Sequence, residues 1–114
     1  MDQRLKTVLE DIHHIDTINN QKRLLKEQFQ EAIIVFFNGG KFTANKELIA
    51  FLQTAFENEI SVITDDNDIP IKITNIIEFL KLVTDTYKSA TETYFLQYED
   101  AILKSRKLED LLSL

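Results

Sequence analysis

With 114 residues, 44% of them hydrophobic and 28% charged, the chain has the size and composition of one soluble globular domain. The absence of cysteine excludes a disulfide framework, thiol catalysis and zinc–thiolate sites, and it fits a reducing compartment. A net charge of −6, with no net-basic stretch, argues against binding through nucleic-acid phosphates.

The opening Met1-Asp2-Gln3-Arg4-Leu5-Lys6 lacks the apolar run of a signal peptide, and the apolar stretch Ala32 to Phe37 is too short to cross a bilayer. A soluble intracellular protein with no membrane partner is expected. Leu5, Val8, Ile12, Ile15, Ile18, Leu25, Phe29, Ala32, Ile33 and Phe36 then recur mostly every three or four residues, which is helical spacing. The spacing predicts one helix over about 3–37, weakest at Asp16-Thr17-Ile18-Asn19-Asn20, where helix propensity is poor. Asn38-Gly39-Gly40 supplies residues suited to terminating it.

Next, Leu48, Ile49, Phe51, Leu52, Ala55 and Phe56 form a wide apolar face, predicting a short helix over about 44–58 behind a Thr43 N-cap. The period then changes. Ile60-Ser61-Val62-Ile63-Thr64 and Ile69-Pro70-Ile71-Lys72-Ile73 flank Asp65-Asp66-Asn67-Asp68, the pattern of a β-hairpin over about 60–73, with Pro70 on a free edge. Asn75 followed by Glu78 resembles a capping box. From there Ile76, Leu80, Val83, Tyr87, Ala90, Tyr94, Gln97 and Ala101 step by four and three, widened by Phe79, Tyr98, Ile102, Leu108 and Leu111. The spacing predicts a coiled-coil-like helix over about 75–111. The whole reads as a single mostly α (α+β) domain over 1–114: a long antiparallel helical hairpin, a short connecting helix and one β-hairpin.

Few residues carry recognisable chemistry. Glu10-Asp11-Ile12-His13 has the Glu-x-x-His spacing of carboxylate-bridged metal sites, but the second such motif is missing, and surface histidines at His13 and His14 are the better reading. The Asp65–Asp68 run lacks the glycine and distal glutamate of a calcium loop and reads as a solvated turn. Gly39-Gly40-Lys41 lacks the pattern of a phosphate loop, and no serine lies in a nucleophile elbow. Tyr87, Tyr94 and Tyr98 share one helix face. A periodic stripe of this kind reads first as a packing surface and second as a partner groove.

The pattern Phe36-Phe37-Asn38-Gly39-Gly40-x-Phe42, Asp66-Asn67-x-x-Pro70-Ile71-x-Ile73 and Phe79-Leu80-x-x-Val83-x-x-x-Tyr87-x-x-Ala90-Thr91 resembles small proteins of large T-even-like marine phages, over roughly residues 30–110. The resemblance implies a phage origin and a host-cytoplasmic or virion setting. It carries no catalytic residue across.

These observations lead to the expectation of a non-enzymatic interaction protein without cofactors or metals, a virion assembly or accessory factor. It would act through helix-mediated oligomerisation, as a homodimer or higher, or by docking on a phage or host protein. The expected interface residues are Leu5, Val8, Leu108, Leu111 and Leu112, because the apolar ends of two long helices exceed what each can cover on the other, together with Tyr87, Tyr94 and Tyr98 of the periodic stripe. The alternative is a nucleotide-sequestering protein that counters host signalling, its pocket drawn from the tyrosines with Thr84, Thr91 and Thr93.

Overall fold

The computed structural model describes residues 3–103, apart from the side chains of Ile12, His13 and His14. The fold is mostly helical α+β, as the periodicity predicts, in the order α1 (Gln3–Ala32), β1 (Ile34–Phe37), β2 (Gly40–Thr43), α2 (Lys46–Glu57), β3 (Val62–Thr64), β4 (Pro70–Lys72) and α3 (Ile76–Tyr98). It divides into two compact units. One is Phe29–Glu92; the other takes the described parts of Met1–Gln28 and Thr93–Leu114.

α1 runs unbroken through Asp16–Asn20, the stretch of poorest propensity. Arg23 helps there, donating to Asn20 Oδ1 at 2.7 Å and to Glu27 Oε1 at 3.3 Å along the same helix. The helix stops at Ala32, however, and not near residue 37. Ile34-Val35-Phe36-Phe37 instead pairs antiparallel with Gly40–Thr43, in the register Ile34↔Thr43, Val35↔Phe42, Phe36↔Lys41 and Phe37↔Gly40. Two causes combine. β-branched and aromatic residues favour the pleated strand, and Asn38-Gly39 takes positive φ at both positions, +48° and +84°, the requirement of a two-residue turn whose twist matches the strands. The glycine pair therefore closes a hairpin and does not end a helix. The described residues hold two β-hairpins where one was expected.

α2 begins two residues later than anticipated. Its N-cap is Asn45, whose Oδ1 accepts from the Leu48 N–H at 2.8 Å, while Thr43 remains in β2 and its hydroxyl donates to Asp66 Oδ2 at 2.7 Å. The second hairpin falls where the alternation places it, with register Val62↔Lys72, Ile63↔Ile71 and Thr64↔Pro70. α3 starts as expected, with Asn75 Oδ1 accepting from the Glu78 N–H at 3.1 Å. At Tyr98 it widens into a π-helical turn over Glu99–Leu103. The predicted continuation from 104 to 111 lies outside the described residues.

The core of Phe29–Glu92 draws on both hairpins, α2, α3 and the residues flanking them: Ile33, Val35, Phe42, Ala44, Leu52, Ile63, Ile73, Phe79, Val83 and Ala90, with Phe29 of α1 and Ile71 of β4 packed against it. Phe79, fully buried in the first turn of α3, stacks on Phe37 at 4.8 Å between ring centroids and meets Phe42 edge-on at 4.8 Å. That geometry suits the ring quadrupoles and ties α3 to both strands of the first hairpin.

A carboxylate ties the second hairpin to the first. Asp65 is buried; its Oδ1 accepts from the N–H groups of Asn67 and Ile69, both at 2.9 Å, and its Oδ2 accepts from the Lys41 N–H at 3.1 Å. The Asp66 N–H completes the junction by donating to the Lys41 carbonyl at 2.8 Å. A buried carboxylate is tolerated because its lone pairs are used. The Ile69 N–H, foremost, holds its carboxyl below the ordinary range, against an opposing push from burial, and the Lys41 and Asn67 N–H groups add to the lowering.

Candidate interaction surfaces

Two surfaces stand out, one on α1 and one on the Phe29–Glu92 unit. Along α1, Ile18, Gln21, Leu25 and Phe29 are half-buried and follow the 3-4-4 spacing of one face. The N-terminal half is different. Leu5 and Val8 are each 51% exposed, Leu9 is equally open, and Ile15 reaches 56%. At about 100° per residue, this upper stripe is centred roughly 130° around the helix from the half-buried face below it. One flat partner surface therefore cannot cover both, and the upper stripe stays open in the described structure.

On α3 the tyrosine stripe is half-buried throughout. Tyr87, Tyr94 and Tyr98 lie on the face marked by the buried Phe79, Val83 and Ala90, and the rings of Tyr94 and Tyr98 meet edge-on at 6.2 Å. Gln97, placed on this stripe by its spacing, is exposed. The Thr91 hydroxyl turns back onto its own helix, donating to the carbonyls of Tyr87 and Lys88 at 2.8 and 3.0 Å. Thr84 and Thr93 are exposed. Of the eight expected interface residues, Leu5 and Val8 are open, the three tyrosines are half-covered, and Leu108, Leu111 and Leu112 lie outside the described residues.

The second surface went unnoticed in the sequence. A groove of about 480 Å³ runs between α2 and β3, with Phe42, Leu48, Phe51, Val62 and Ile63 as its apolar lining and Thr43, Asn45, Glu47, Thr64 and Asp66 as its polar one. Among the described residues, its charged lining consists of the carboxylates Glu47 and Asp66. The Thr43 hydroxyl fixes the orientation of Asp66. Nothing in a linear reading links positions 42–51 to 62–66; the Lys41–Asp65 junction does so in space.

Among the described residues, no group of three or more His, Asp or Glu side chains is placed to hold a metal ion. The side chains of His13 and His14 lie outside that description. No described helix is long and apolar enough to cross a membrane. No protein-family model matches the chain, and neither do curated proteins or solved structures.

Proposed function

We propose that the protein is a non-enzymatic interaction protein of phage origin, an assembly or accessory factor that works in the host cytoplasm or virion by associating through its long helices. The open stripe Leu5, Val8, Leu9 and Ile15 carries this reading. Four aliphatic side chains on one helix face, each about half exposed, leave apolar area in water that association removes at about 25 cal/mol per Å². A self-association surface or a docking surface for a larger phage or host protein both satisfy that stripe.

Light scattering on the parent chain and on Val8→Glu and Ile15→Glu tests the reading. The expected result is a parent mass above the monomer, or retention of a phage or host protein in pull-down, lost in both variants at unchanged melting temperature. A monomeric parent that also retains no partner refutes it. Mass spectrometry of purified particles decides between a virion component and a cytoplasmic factor.

A further inference from the structure

The groove beside β3 has a feature that the α1 stripe lacks: an unused backbone edge. In an antiparallel pair, alternate residues turn their N–H and C=O groups toward the partner strand. The Ser61 carbonyl accepts from the Ile73 N–H at 2.7 Å and the Asp65 N–H donates to the Ile69 carbonyl at 2.9 Å, so residues 61, 63 and 65 face β4. Val62, Thr64 and Asp66 therefore direct their backbone groups to the opposite side, where the Asp66 N–H is taken by the Lys41 carbonyl at 2.8 Å and no backbone partner of Val62 or Thr64 occurs among the described residues. Val62, Ile63 and Thr64 all line the groove although their side chains alternate, which places the groove along this edge.

The two edges of the hairpin also differ in composition. β4 carries Pro70 and Lys72, residue types that discourage strand addition, whereas β3 reads Val-Ile-Thr and carries neither. Beyond the edge lie the apolar Phe51 and Leu48 and the carboxylates of Glu47 and Asp66, with no cation among the described lining residues.

We propose that β3 receives an extended peptide segment of a partner protein, added as a third strand, in which apolar residues alternate with lysine or arginine. The backbone of Val62 and Thr64 supplies the pairing, Phe51 and Leu48 take an apolar side chain, and Glu47 with Asp66 select the cation. Anionic ligands are disfavoured by the same carboxylates. This surface is independent of α1, so Val8→Glu leaves it intact.

Panning a yeast-displayed library of random heptapeptides against the full chain tests the proposal, followed by amide NMR with the enriched peptides. Enrichment of alternating basic and apolar residues is expected, with the largest shifts at Val62, Ile63 and Thr64. Val62→Pro removes an N–H that the β3–β4 ladder does not use, at the first residue of an edge strand where proline is tolerated. It should weaken binding about threefold to tenfold, the net worth of one backbone hydrogen bond. Glu47→Lys, on the exposed first turn of α2, provides a second variant that does not touch the sheet. It should weaken the basic peptides and strengthen counterparts with glutamate in place of lysine. No enrichment over an unrelated domain, an acidic consensus, or shifts confined to other residues overturns the proposal. So does a parent oligomer that Val62→Pro dissociates, because the edge would then belong to a second copy.

Discussion

Gly39 and Gly40 are adjacent, yet each is glycine for a different reason, and alanine substitution separates the two. A Cβ on Gly40 would lie 2.7 Å from Ile71 Cγ1, 2.7 Å from Phe42 Cε2 and 3.1 Å from Phe42 Cζ. Ile71 can yield, since it is only half-buried, but the Phe42 ring is 2% exposed and wedged against Phe79. Gly40→Ala is thus an overpacking change, expected to cost about 1–3 kcal/mol. For a cooperative unit of this size, each kcal/mol lowers the melting temperature by about 4–8 °C. At Gly39 a Cβ meets nothing within 4 Å, but φ is +84°, so Gly39→Ala is expected to cost about 1–2 kcal/mol through backbone strain alone. Asparagine tells them apart. Gly39→Asn should recover part of the alanine loss, since asparagine tolerates the left-handed region, whereas Gly40→Asn should be worse than Gly40→Ala. Thermal unfolding by circular dichroism of the four variants suffices. A Gly40→Ala chain that melts with the parent, or a pair of sites that rank alanine and asparagine alike, refutes the packing of the second hairpin against the first.

Two further outcomes follow from the core. Phe79→Leu keeps most of the apolar volume but loses two ring pairs, and urea unfolding should show a loss of about 1–3 kcal/mol at about 0.5–1.5 kcal/mol per pair. Asp65→Asn should lower the melting temperature at pH 7 and flatten its fall in acid. A carboxyl whose pKa is depressed on folding contributes stability that is full above its unfolded value of about 3.9 and is lost as pH falls through the folded value. Parallel pH–melting curves for parent and variant would contradict that assignment.

What could be read from the sequence is what depends on local spacing. The start of α3 is visible in Asn75 and Glu78, and its buried stripe from Ile76 to Ile102 follows the predicted face except at Gln97. The hairpin at Val62–Lys72 is visible because its alternation is short and bracketed by turn residues. The first hairpin is masked because Ile33 and Phe36 continue a helical stripe while the run Ile34–Phe37 suits a strand equally well; the deciding signal is Asn38-Gly39, which fits a hairpin turn better than a helix end. Asp65 could not be told from Asp66 or Asp68, since what distinguishes it is an N–H donated by Lys41, distant in sequence. Asp68 is also less free than a solvated turn residue, holding a φ of +60°. The groove escaped for the same reason as Asp65: it exists only once two hairpins and a helix are assembled.

The bridge at Asp65 also bears on how the Phe29–Glu92 unit opens. Two-stranded hairpins are marginal by themselves, and here the turn of one is closed by a donor from the strand of the other. Opening the first hairpin would leave the Asp65 carboxylate short of a donor; opening the second would leave both the N–H and the carbonyl of Lys41 without partners. Local fraying of either is therefore penalised by the other, and the two should exchange their amide protons as one foldon. The slow-exchanging set should include the Lys41, Asp66 and Ile69 amides together, at opening free energies shared with the Phe79 core. A segment that cannot fray piecemeal presents few transient unpaired strands, which is protection against edge-to-edge aggregation that neither hairpin has alone.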